Sequence, residues 1–381
     1  MSKRPAPRFV ISGGSVFDSD SGRLVERDIY VADGIIVEGF EVEPHDGAIK
    51  ADGLLVTPGW IDLHTHVFRG QDLGVDADVL GPATGVTTMV DAGSAGAHVF
   101  AAFQSVMREY TTTIRPFLNI SSIGTTSIHL AGELRLAAYA DEQACIECIG
   151  RHPEIVGVKV RASANVGAEN TLVALAKARR VATEVDLPLM VHVGPAPATM
   201  AEVLANMRAG DIITHCFSGL TDTPIARIDA EADLLKEASN AQERGVIFDV
   251  GHGGGSFDAK RAAAAMDAGF LPDTISSDVH TYAAPLSTEG LPLVVDKFLA
   301  LGLSLEATLT RVTARPARAI ALDGGGTLLP GSPADIAMFQ LTTGEYEFVD
   351  SNGYRFTGTQ RLHPTMTIKD GKIVFDKSEM G

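Results

Sequence analysis

Eight short strand-like runs, four to eight residues each, recur between residues 56 and 277, and most are followed by a stretch of helical periodicity. The runs are Val56–Leu63, Thr87–Asp91, Ile114–Ile120, Ile155–Val160, Pro188–Val193, Asp211–Cys216, Val246–Val250 and Thr274–Ser277. Helical patterns follow at Val99–Tyr110, Thr171–Val185, Ala201–Met207 and Ala230–Glu243. Near-continuous apolar runs fit strands buried on both faces, and parallel strands need helical crossovers, so the alternation predicts a (β/α)8 barrel over 57–320. An open doubly wound sheet is the alternative. It would place a glycine-rich phosphate loop after its first strand, where this chain has His64-Thr65-His66.

Outside that region the pattern changes. Residues 8–56 carry short alternating runs (Arg8–Ser12, Asp28–Val31, Gly34–Glu38) separated by glycine and aspartate turn signals. The C-terminal part repeats this character at Asp335–Phe339 and Thr365–Phe375, with Asp370-Gly371 marking a hairpin. The two ends, 1–56 and 321–381, are expected to pair into one small β-sandwich domain beside the barrel.

With 381 residues, 45% of them hydrophobic, the chain can bury a large core. A net charge of −17 leaves no basic footprint for nucleic acid or an anionic membrane surface, and points to small-molecule substrates. A homo-oligomer is left open. Met1–Pro7 lacks the apolar core of a signal peptide, and no apolar run approaches a membrane span, so the cytoplasm is expected. Three cysteines are too few and too odd in number for a disulfide framework. Cys145 and Cys148 match C-x-x-C, but they fall inside the helical pattern 136–149 with no second pair to complete a zinc tetrahedron.

The first run ends in the residues that carry chemistry. His64 and His66 lie two apart on a strand, so they share a side and can grip one cation. In a barrel, function is assembled at the C-terminal strand ends. There the fourth run gives Lys159, the fifth His192, the sixth His215 and the eighth Asp278. Neutral imidazoles and a carboxylate suit zinc and similar divalent ions. Lys159, in an apolar run, is costly to bury unless paired or modified.

The stretch Pro58-Gly59-Trp60-Ile61-Asp62-Leu63-His64-Thr65-His66, with this ordered ligand set, resembles the amidohydrolase superfamily, near its dihydroorotases, hydantoinases and amidohydrolase/deacetylase branch. The resemblance implies two divalent metal ions and a CO2-derived carbamate on Lys159 bridging them. His64, His66, Lys159 and Asp278 would hold the more buried ion, and Lys159, His192 and His215 the more exposed one. It also implies that Asp278 is the catalytic acid–base group, taking the proton of a metal-activated hydroxide.

Arg161 stands two residues beyond Lys159, faces the same mouth, and is a candidate anchor for a substrate carboxylate. His252, in Gly251-His252-Gly253-Gly254-Gly255, and Tyr282 are candidate substrate-binding residues at the rim. In dihydroorotases an arginine follows the second histidine by two residues. Here Arg69 follows by three, and Phe68 takes the expected place. The expected activity is therefore deacetylase-like hydrolysis of an acyl amide or ester of a small carboxylate-bearing substrate. The alternatives are a cyclic amidohydrolase and a catalytically silent structural relative. A serine-esterase reading of the His-Gly-Gly-Gly motif fails for want of a downstream G-x-S-x-G elbow.

Overall fold

The computed structural model describes residues 8–43, 45–219 and 232–380. The Met1–Pro7 segment and the first two residues of the 230–243 helical pattern lie outside them. Seven parallel strands form the central sheet: β1 (Trp60–Thr65), β2 (Val86–Gly96), β3 (Thr113–Asn119), β4 (Gly157–Ala162), β5 (Leu189–Val193), β6 (Ile212–Thr214) and β7 (Ile247–Asp249), each paired with the next in chain order. Most crossovers carry helices, among them Phe100–Met107, Thr171–Glu184, Met200–Ala205 and Ala232–Glu243.

The eighth run closes the barrel without forming a regular strand. Single parallel bridges join Thr274 to Asp249 of β7 and Val279 to Thr65 of β1. Backbone N–H groups of His252 and Gly253 donate to Ser276 and Ser277, and that of Asp278 donates to His64 O at 2.7 Å. The ladder is irregular here because backbone N–H groups are bonded to side chains, that of Ser277 to Asp62 and that of Gly251 to Ser276 Oγ, and because Asp278 takes a left-handed φ of 48°.

The first sequence run divides into two strands. Leu55–Pro58 belongs to a sheet made by the chain ends, and β1 starts only at Trp60. Gly59 is the joint: a Cβ there would lie 2.2 Å from Thr87 Oγ1, and its N–H donates to Asp335 O. Trp60 then stacks on Phe339 at 4.2 Å, tying barrel to end sheet.

Both ends contribute to a six-stranded sheet, Ser15–Asp18, Arg23–Glu26 and Leu55–Pro58 from one, Ile336–Val349, Arg355–Lys369 and Lys372–Asp376 from the other. A four-stranded sheet of Phe9–Ser12, Ile29–Ala32, Ile35–Val37 and Gly47–Lys50 shares a core with it through Phe9, Ile11, Val31, Val56, Ile336, Met338 and Ile368. Asp370 and Gly371 both have positive φ (48° and 73°), as a two-residue Asp-Gly hairpin requires. Cys145 and Cys148 are buried free thiols on the helix Glu142–Arg151, whose start is fixed by the Asp141 side chain accepting from Ala144 N–H. No helix among the described residues is long and apolar enough to cross a membrane.

Candidate active site

The strand ends and the closing segment open on a cavity of about 600 Å³ lined by His64, His66, Lys159, Arg161, His192 and Asp278, with Leu73, Ile128, Tyr282 and the Gly254–Ser256 stretch on its walls. At its floor, His64 Nε2 and His66 Nε2 lie 3.2 and 3.4 Å from Asp278 Oδ1. The three residues bring one ligand atom each within 4.8 Å of one another, all of them buried. Lys159 Nζ is 3.5 Å from His64 Nε2 and 3.3 Å from Met190 Sδ. His192 Nδ1 and His215 Nε2 face each other at 2.8 Å as a second pair of imidazole nitrogens.

The far sides of these rings are fixed by hydroxyls and carbonyls. His64 Nδ1 is 2.7 Å from Thr214 Oγ1, which donates to Asp249, and Asp249 also accepts from Thr274 and Ser276. His66 Nδ1 is 2.8 Å from Ser94 Oγ, and His215 Nδ1 is 2.6 Å from Gly251 O. With Thr214 donating to Asp249, His64 carries its proton on Nδ1 and turns an Nε2 lone pair into the cavity. His215, bonded to a carbonyl, also carries its proton on Nδ1, and its Nε2 lone pair faces His192 Nδ1. Such lone pairs fit a divalent cation.

Electrostatics agree with that donor chemistry. Burial, then the charge of Lys159, pushes the His64 imidazolium well below its ordinary range, and burial brings His215 down to about 4. Burial also lowers Lys159 to about 7, so an appreciable fraction is free amine, the form that reacts with CO2. Burial works upward on Asp278, but the surrounding histidines, His64 first, hold its carboxyl well below the usual range. Two of these residues, His215 (φ 71°) and Asp278 (φ 48°), adopt left-handed backbone, a strain that clusters at functional sites. Gly93 makes room for the lysine, since a Cβ there would fall 2.6 Å from Lys159 Cγ.

Around this centre the expected substrate residues separate. Arg161 lines the cavity, but its Nη1 donates to the buried carboxylate of Glu133 at 3.0 Å. Tyr282 stands on the rim, 44% exposed, with its hydroxyl donating to Asp72. His252 is buried and is not among the residues lining the cavity; its ring lies behind the glycine loop, against Lys297 and Phe257. Arg69 points away, paired with Asp76 and Glu109 on the surface. Asp62, Asp91, Asp249 and Glu133 are buried carboxylates that the sequence pattern did not single out. The first three are carboxylates inside apolar runs near strand ends, the same signal that singled out Lys159.

Comparison with known proteins agrees with this geometry. Residues 55–374 match the amidohydrolase family. A deacetylase of Agrobacterium fabrum is 37% identical over 308 residues, 80% of this chain and 75% of its own. Among solved structures, a dihydroorotase superposes with a TM-score of 0.90 at 32% identity over 97% of this chain and 98% of its own. An adenine deaminase superposes with a TM-score of 0.88 at 28% identity over 97% and 100%. Fold and matched length converge: the chain belongs to the amidohydrolase family and is a hydrolytic enzyme.

Proposed function

We propose that this enzyme is a deacetylase that removes an acyl group, held as amide or ester, from a small carboxylate-bearing acid. The observation that carries the reading is the convergence of His64, His66 and Asp278 beside the Lys159 side chain, in a cavity with one arginine in its wall. Relatives named deacetylase, similar over most of this chain, support the same activity. His64, His66 and Asp278 would hold one divalent ion and His192 and His215 a second, with Lys159 as a carbamate between them; the imidazole and carboxylate donors favour zinc. When bound, the metal supplies acidification of a water and polarisation of the scissile carbonyl.

The rest of the work falls to the chain itself. Asp278, with Oδ1 3.2 and 3.4 Å from His64 Nε2 and His66 Nε2, is placed to accept the proton of the attacking water and return it to the leaving amine or alcohol. Thr214–Asp249 and Ser94 keep the His64 and His66 rings aimed into the cavity. Arg161 spends only Nη1 on Glu133, so its other edge is available to a substrate carboxylate, and Tyr282 lines the same cavity. The three cysteines are free and buried, in keeping with a reducing cytoplasm. Residues 1–56 and 321–381 would form one unit beside the 57–320 barrel.

Similarity to a dihydroorotase keeps ring opening as the second reading. The outward course of Arg69, already paired with two carboxylates, removes the carboxylate clamp that this reading needs. A screen of N-acetyl amino acids and acetyl esters of 2-hydroxy acids beside dihydroorotate, hydantoins and adenine tests the choice. Turnover confined to rings or to adenine would replace the deacetylase reading.

A further inference from the structure

Lys297, on the helix Leu286–Ala300, is only 3% exposed, and no carboxylate lies within ion-pair distance of it among the described residues. Its Nζ instead donates to His252 Nε2 at 2.8 Å. Because Nε2 accepts, the His252 proton sits on Nδ1, which lies 2.8 Å from Gly253 O and donates to it. Burial keeps His252 down at about 3 and Lys297 at about 8, so a neutral ring and an ammonium coexist near neutral pH, as that donor order needs.

The backbone that this pair grips touches the catalytic carboxylate. Gly253 has a φ of 55°, and a Cβ there would lie 2.5 Å from Asp278 Oδ2, so only glycine lets the chain pass so close. Its N–H donates to Ser277 O, one residue before Asp278, and the next three residues, Gly254, Gly255 and Ser256, line the cavity. Three glycines in a row have no side chains with which to fix themselves. They are held from outside: by His252 and Lys297 behind, and by the tip of the end-sheet hairpin, whose Ser351 N–H donates to Phe257 O and whose Asp350 accepts from Ala259 N–H.

We propose that Lys297, acting through His252, is a positioning residue that fixes the Gly253–Ser256 wall of the substrate cavity against Asp278. This rests on that cavity being the site of the proposed hydrolysis. Stability alone does not account for the arrangement: Asp350 and Glu289 act on the Lys297 ammonium only from beyond ion-pair distance, and a buried ammonium held that way is no better for folding than an apolar side chain of its size.

The test compares wild type with Lys297→Met and with His252→Gln, each as full-length metal-loaded protein. His252→Gln leaves the Lys297 ammonium an acceptor while removing the bond to Gly253 O, so it decides the matter should Lys297→Met fail to fold. Hydrogen exchange by mass spectrometry is expected to show the His252 and Gly253 amides opening about 10-fold more readily in both variants, with peptides from β1 to β5 unchanged. On an acylated acid, KM is expected to rise about 5- to 20-fold with kcat within about threefold of wild type, and metal content and Tm should hold. Unchanged exchange at 252–253, or a uniform rise across the barrel with a lower Tm, would overturn the proposal. Failure of the wild type to hydrolyse any acylated acid would count against the proposed substrate class, and the exchange readout would still decide the role of Lys297.

Discussion

Arg161→Met is the substitution whose consequences the structure constrains most, because the residue has two neighbours to answer to. One is Glu133, 3.0 Å away, with side chains 12% and 3% exposed, and the other is the substrate carboxylate assigned to its free edge. Removing one partner of a buried pair strands the other, at a cost of about 3–5 kcal/mol. Since the arginine faces the cavity and Glu133 keeps a second bond from Gly132 N–H, the loss here should sit at about 3 kcal/mol. Adding Glu133→Gln removes the stranded charge, and the double variant should return to within about 1 kcal/mol of wild type by denaturant unfolding. Catalysis should not return with it. A charge-assisted contact worth about 1.5–3 kcal/mol corresponds to a roughly 10- to 100-fold fall in kcat/KM on the acylated acid in both variants. The methyl ester of the same compound should change by less than about threefold. Equal losses on acid and ester would remove Arg161 as anchor. A double variant as unstable as the single would refute the pairing argument.

Other outcomes follow from the same geometry. Elemental analysis of protein grown with added zinc and bicarbonate should find up to two divalent ions per chain, and Lys159→Ala should lose most activity, with partial rescue by short carboxylates; full activity without additive would exclude a bridging carbamate. Asp278→Asn, nearly unchanged in volume, should keep the fold while kcat falls at least about 100-fold, and retained kcat at neutral pH would move proton transfer elsewhere. A pH effect is expected at His252, whose folded pKa is depressed to about 3 by burial while the unfolded imidazole titrates near 6.5. Below the unfolded value only the unfolded chain takes up this proton, so between pH 7 and 5 wild type should lose about 2 kcal/mol of stability relative to His252→Gln. A difference that does not change with pH would mean that the ring is not held neutral.

What the sequence made legible follows from how locally each feature is encoded. The barrel could be read because buried parallel strands must be apolar on both faces, and the meeting of His64, His66 and Asp278 because positions at strand ends are set by chain order alone. The break at Gly59 was not readable. Val56–Leu63 is one apolar run, and only the pairing of Leu55–Pro58 with Ile336–Phe339, nearly three hundred residues away, assigns its first half to another sheet. The eighth run has the same history, since the Ser277 N–H bonds to the Asp62 carboxylate, distant in sequence, and the closure is made of single bridges. Residues that act through a partner were the hardest to see. Glu133 lies in no strand and matters only because Arg161 reaches it, and Lys297 looks like an ordinary helix lysine until the fold puts His252 at its tip. His252 itself stood out in the sequence for its glycine-rich setting, as a candidate substrate-binding residue at the rim. The structure assigns Gly253 a different purpose: it lets the backbone pass beside Asp278, where a Cβ would lie 2.5 Å from Oδ2. That leaves the histidine to hold the loop from behind.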